Sequence, residues 1–319
     1  METINEILKG KEYLKCDRVY KRSLAEVKEI MNLPQWKDDK FVNLLTSGIW
    51  NANSTEIKKI LGMKQWNDPK FKNLLTPNIW KSQSAEIEKI LNMTQWNKPQ
   101  FAGLLTPSIW DCQSTEIEKI LNMSQWNDDK FKGLLTPTIW QSSNAKEVEK
   151  ILNMEQWNNP KFTGLLTSNI WQSNAEEVEK ILNMPQWNEP KFADLLTSNI
   201  WKSNAEEVEK ILNMPQWNND KFKGLLTPSI WQSNATEVEK ILDMPIWQNN
   251  KYAQLLGPSI FLVSSKNIKA NIEIFKKYGI DEYITNRSLR RSPKKQEILL
   301  DYMIKHSIPL LEKDKRRQW

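Results

Sequence analysis

The chain has 319 residues, a formal net charge of +6 and a sequence pI near 9.0. Its two cysteines, Cys16 and Cys112, exclude a disulfide scaffold and a cysteine-rich zinc site, and its single histidine leaves little for acid–base catalysis. No apolar run approaches the roughly 20 residues that span a bilayer, so no membrane partner is expected.

The opening METINEILKGKEYLK lacks the apolar core of a signal peptide and carries acids that a transit peptide avoids. A cytoplasmic protein is expected. Residues 13–32 read as a worn copy of the later repeats, with Val19-Tyr20 standing where Ile-Trp stands in them and Glu26-Val27 where Glu-Val does. Residues 1–32 are therefore a degenerate N-terminal cap, since terminal repeats tend to be atypical.

Residues 33–260 are eight tandem copies, beginning at Leu33, Met63, Met93, Met123, Met154, Met184, Met214 and Met244. The copy from Met123 holds one added residue. Self-similarity at a period of roughly 20–50 residues is the signature of a solenoid. It predicts an all-α protein, an α-solenoid of ~30-residue repeats that bury their apolar faces only against neighbours.

In the copy at residues 214–243, Asn218-Asn219-Asp220 precedes Phe222, Leu225 and Leu226, a capped helical face. Other copies carry proline in the first turn, at Pro69, Pro99, Pro160 and Pro190. Thr227-Pro228 stops this helix and starts a turn that carries Ile230 and Trp231. A second helix comes next, with Val238, Ile241 and Leu242 on its apolar face. Asn234 with Glu237, Asn204 with Glu207, and Asn174 with Glu177 read as capping boxes. Each repeat is then two short helices plus a helical turn. Of the 16 tryptophans, fifteen recur at two fixed repeat positions, which points to packing between repeats; the sharper alternative is a set of base-stacking platforms.

Residues 261–319 form a basic C-terminal helical cap. Phe261 replaces the repeat tryptophan, and Ile268, Ile272 and Phe275 continue a helix that ends at Tyr278-Gly279. Residues 284–311 read as a last basic helical pair and residues 313–319 as a charged tail. From Phe261 onward there are fourteen Lys and Arg against seven Asp and Glu, a balance of +7 that exceeds the +6 of the whole chain. Arg287, Arg290, Arg291, Lys294 and Lys295 cluster within nine residues. Such a cluster is either an electrostatic footprint for phosphate or a solvated end-cap.

Two repeat positions stand out chemically. Lys40, Lys70, Lys130, Lys161, Lys191, Lys221 and Lys251 each open the first helix of a repeat, where the helix dipole disfavours a cation, with only Gln100 breaking the series. A lysine at a helix N-terminus suits a phosphate; the alternative is a solvated lysine or one paired with an acid of the adjacent repeat. The residue after Ile-Trp varies while its neighbours do not: Asn51, Lys81, Asp111, Gln141, Gln172, Lys202 and Gln232. These side chains suit base edges, one per repeat, although surface drift yields the same pattern. No Gly-rich phosphate loop, catalytic triad or metal-ligand cluster is present in the sequence, and His306 stands alone. No enzyme activity, no cofactor and no metal are expected.

The run Leu-Leu-Thr-Pro-Ser-Ile-Trp followed by a Glu-Val-Glu-Lys-Ile-Leu helix resembles the repeats of the mitochondrial transcription termination factor family. Pro228, Trp231 and Val238 match that pattern, as do Pro77, Trp80 and Ile87; a third apolar position falls at Met244, one residue early. Residues 286–311, with Arg290-Arg291 and Ile308-Pro309-Leu310, have a similar look. The Leu-Thr-Pro opening also resembles transcription activator-like effector repeats. Both resemblances imply a helical superhelix that binds DNA or RNA. The expected protein is a monomeric nucleic-acid binder holding phosphates with the repeat lysines and the basic cap; a protein-interaction scaffold is the alternative.

Overall fold

The structure, a computed structural model, describes residues 3–141, 144–306 and 308, without the side chains of Asn250 and Lys251. The described residues are all helical or irregular, with no strand among them, and helix-to-helix contacts recur regularly along the chain. The expected charged tail and Ser142-Ser143 of the added Gln-Ser-Ser-Asn stretch lie outside the described residues.

Eight α-helices of eight residues recur: α1 Leu24–Met31, α2 Ser54–Leu61, α3 Ser84–Leu91, α4 Ser114–Leu121, α5 Ala145–Leu152, α6 Ala175–Leu182, α7 Ala205–Leu212 and α8 Ala235–Leu242. Each is too short to persist alone in water. Its core residues, such as Ile87, Ile90 and Leu91 of α3, are at most 4% exposed. Two longer helices close the chain, α9 Ser265–Lys277 and α10 Pro293–Lys305, with a short turn of helix Asn286–Leu289 between them. As the sequence predicts, α9 buries Ile268, Ile272 and Phe275 and stops at Gly279, whose φ of 64° suits glycine.

Between the α-helices the chain runs through three short helical segments per repeat, most of them 3-10. In one copy they are Lys64–Asn67, Pro69–Leu74 and Pro77–Lys81. The expected pair of α-helices per repeat is corrected accordingly. The first expected helix is mainly 3-10, and the Gln-Trp segment is helical too. Segments this short favour i→i+3 bonds over the longer α pattern. Prolines 69, 99, 160 and 190 do open such segments.

The chain divides into two compact units. The first comprises residues up to Met154 with Leu166–Ala175, the second Glu155–Leu165 with Glu176 onward. Within the first, the indole N–H groups of Trp80, Trp110 and Trp140 donate to the carbonyls of Leu44, Leu74 and Leu104, each 36 residues earlier, at 2.8–2.9 Å. Within the second, Trp201 and Trp231 donate to Leu165 and Leu195 in the same way. The other tryptophan series bonds locally: Trp66 and Trp217 donate to Ile60 and Ile211 at 2.6 Å. Apart from Trp36, the repeat tryptophans are buried. A ring sealed in the core offers no face to a base, so these rings pack the protein and are not stacking platforms.

The capping boxes also need correction. Asn204 and Asn234 do accept the N–H of Glu207 and Glu237. The glutamates, however, do not fold back on their own N-caps. Glu207 reaches forward to the N–H of Ala235, and Glu237 to that of Ser265. In the first unit Glu56, Glu86 and Glu116 reach Ser84, Ser114 and Ala145 at 2.7–3.0 Å. Each of α2 to α9 is thus capped by the helix before it, which satisfies an orphan donor and places a negative charge at its positive end.

Candidate nucleic-acid interface

Two rows and one patch hold the residues that the sequence singles out. The repeat lysines form the first row, and they are engaged within the chain. Asp68 accepts the backbone N–H of Lys70 at 3.0 Å and pairs with its ammonium at 3.2 Å. The same ammonium donates to Asn97 at 3.2 Å and lies 4.9 Å from the Phe71 ring centroid. Lys40 repeats this arrangement with Asp38, Asn67 and Phe41. Lys191 pairs with Glu189 and Asn218, and Lys130 with Asp128. Lys161 and Lys221 have asparagine, not an acid, two residues back, and donate to Asn188 and Gln248. The side chain of Lys251 lies outside the described residues.

This geometry has an electrostatic consequence. The N–H of Lys70 beside Asp68, aided by the ammonium, holds that carboxyl below its usual range, and Asp38 and Asp128 are lowered by the same contacts. A chain carboxylate therefore occupies the place at the helix start where a phosphate would sit. The lysine also joins consecutive repeats through the asparagine 27 residues on. The pairing is with an acid two residues back, not with one of the adjacent repeat.

The variable residues form the second row. Asn51, Lys81, Asp111, Gln141, Gln172, Lys202 and Gln232 are all exposed. The next residue along is anchored inward: Ser82 donates to the Trp110 carbonyl at 2.8 Å and Cys112 to the Trp140 carbonyl at 3.1 Å. Burial pushes the Cys112 thiol up to about 11, so it is an inert donor. In the first unit the row is tight enough for Lys81 and Asp111 to pair at 2.8 Å across thirty residues, and Asn51 accepts from Arg18. Lys81 and Asp111 are thereby neighbours on one surface.

The patch belongs to the C-terminal cap. Asn271 of α9, fully buried, donates to the carbonyls of Leu289 and Arg291 at 3.0 and 2.9 Å and so fixes the turn before α10. That turn and the start of α10 present Arg287, Arg290, Arg291, Lys294 and Lys295, all exposed. None of these five side chains has an ion pair or a hydrogen bond among the described residues, whereas Lys277 of α9 is paired with Glu297 of α10 at 2.7 Å. Lys294 and Lys295 sit in the first turn of α10 against the helix dipole, and no side chain caps that end. Such a surface is held uncompensated, and it attracts anions.

Asn271 escapes sequence reading because its role lies in two carbonyls of a distant turn. The exposed apolar strip of α10, Ile298, Leu299 and Tyr302, also goes unremarked, although its i, i+4 spacing opposite the buried Gln296 and Leu300 signals it. His306 is exposed and pairs its ring with Tyr302, with centroids 4.3 Å apart. No described group of three or more His, Cys, Asp or Glu is placed to hold a metal, and no described helix is long and apolar enough to cross a membrane. No protein-family model matches the chain, and no curated protein or solved structure matches it.

Proposed function

We propose that this chain is a non-enzymatic nucleic-acid-binding protein, an α-solenoid of ~30-residue repeats anchored on phosphates by its C-terminal cap. The observation that carries this reading is the group of five exposed, unpaired cations on the turn before α10 and its first turn. By contrast, Lys40, Lys70, Lys130 and Lys191 of the repeats are each paired with an acid. The exposed row from Asn51 to Gln172 supports a secondary role in contacting bases, one side chain per repeat. The row lysines contribute less, because each of the six with a described side chain is already held by the chain, four of them by an acid beside them.

Fluorescence anisotropy with labelled DNA and RNA across a salt series tests this. Log affinity is expected to fall linearly with log salt, by about 0.9 for each phosphate contacted on duplex DNA and about 0.7 on a single strand. Arg290→Gln with Arg291→Gln and Lys294→Gln is expected to make that slope shallower. Failure of the wild-type chain to bind any nucleic acid at low salt overturns the reading. The paired row lysines and the Lys81–Asp111 ion pair favour a second reading, a protein-interaction scaffold. Binding of a protein that competes at the variable row, with no nucleic-acid affinity, would establish that one instead.

A further inference from the structure

We infer that the nucleic acid bound at the cap is single-stranded, and that Tyr302 on the outer face of α10 is the ring on which one of its bases stacks. This rests on the cap being a nucleic-acid site. Tyr302 is 56% exposed, on the same helix as the cap cations Lys294 and Lys295. Lys295, Ile298, Tyr302 and Lys305 recur at helical spacing along α10 and are all exposed, so one line on the helix surface reads cation, apolar, aromatic, cation. Lys295 stands about 10 Å along the helix axis from Tyr302, and Lys305 one turn beyond it.

Alternating cations and a ring is the arrangement that grips a single strand, whose phosphates seek charge while its unpaired bases seek a π-face. A duplex keeps its bases stacked on one another and has no use for the ring. The platform is also braced. His306 lies against Tyr302, and α10 is held on α9 by Tyr278 donating to Asp301 and by the Lys277–Glu297 ion pair. The apolar neighbours Ile298 and Leu299 widen the surface beside the ring.

The test compares wild type, Tyr302→Ala and Tyr302→Phe for binding of labelled oligo-dT, oligo-U and a random duplex. Tyr302→Ala is expected to weaken oligo-dT and oligo-U binding by about tenfold to a hundredfold, the loss of one stacked base. Its salt slope stays that of wild type, its duplex affinity is unchanged, and Tyr302→Phe binds as wild type. Because Tyr302 is exposed, all three proteins should melt at the same temperature, which separates a lost contact from a lost fold. Wild-type affinity for oligo-dT in Tyr302→Ala, or a duplex bound more tightly than oligo-dT, overturns the inference while leaving the phosphate-binding cap standing. No binding of any oligonucleotide by wild type removes the underlying reading and the inference with it.

Discussion

The Glu207 carboxylate accepts the backbone N–H of Ala235 at 2.6 Å, the first residue of the next helix and 28 positions along the chain. The side chain that begins on one helix therefore completes the N-terminus of its successor. Helices too short to stand alone are linked in this way by a bond as well as by apolar contact.

Glu207→Ala leaves the Ala235 donor without its acceptor and removes a charge that suits the dipole. The expected cost is about 1–2 kcal/mol, read as a lower urea midpoint at unchanged slope. Glu209→Ala, on the exposed side of the same helix, serves as the control and should stay within about 0.5 kcal/mol. Equal losses in the two variants would mean that the link does not stabilise.

The same bonds set an acid limit. Hydrogen bonds from Ser114 and the Lys89 ammonium bring Glu86 from 4.5 down to about 2, and Glu56, Glu116, Glu147 and Glu237 are lowered by the N-termini they cap and by neighbouring lysines. A folded-state value below the unfolded one means stability is fully present above about pH 4.5 and is lost as pH falls through the folded values. Helical circular dichroism should hold above that pH and decay toward pH 2. Glu86→Gln should make the loss shallower, because one fewer proton is taken up on unfolding. A decay identical in the variant would rule out Glu86 as a contributor.

Trp80 donates to the buried Leu44 carbonyl at 2.8 Å. Trp80→Phe keeps an aromatic ring but removes the indole donor, leaving that carbonyl with the Thr46 N–H alone, and opens a gap, so a loss of about 1–3 kcal/mol is expected. Gln141→Ala, at an exposed position of the variable row, is expected to be close to neutral. Chemical unfolding of the two variants checks the contrast, and a Trp80→Phe protein as stable as wild type would refute the bond's importance.

Lysines of the first row should behave as structural residues. Lys70→Gln removes the ion pair to Asp68, the contact to Asn97 and the cation lying against Phe71. A stability loss of about 0.5–1 kcal/mol is expected, with the salt slope for nucleic acid unaltered. A shallower slope in this variant would return the row to the phosphate contacts.

Asn271→Leu removes the two bonds to the Leu289 and Arg291 carbonyls that shape the turn before α10. Binding should weaken although every cation is retained, because the five charges lose their common placement. Unchanged affinity would show that the cluster acts through charge alone.

By itself the sequence determined the helical character of the chain, the positions of the eight short helices and the identity of the core. These are local properties: apolar residues at i, i+3 and i+4 between Asn or Ser caps and a closing Asn or Gly specify a helix wherever they stand. Repetition at thirty residues also implied that the tryptophans pack between neighbours, and burial agrees. The exposed row of variable residues was legible for the same reason, since only a surface position changes freely among constant ones.

Tertiary structure alone decided what the polar side chains do. Glu207 caps Ala235 and not its own helix, Lys70 is held by Asp68 and Asn97, and Asn271 shapes a turn about twenty residues away. Capping glutamates, paired lysines and free lysines look alike in sequence. Their partners lie 2, 18, 20, 27 or 28 residues off, distances fixed by how one helix settles on the next. Tyr302 stays outside for the complementary reason, that no described helix packs beyond α10 to cover it.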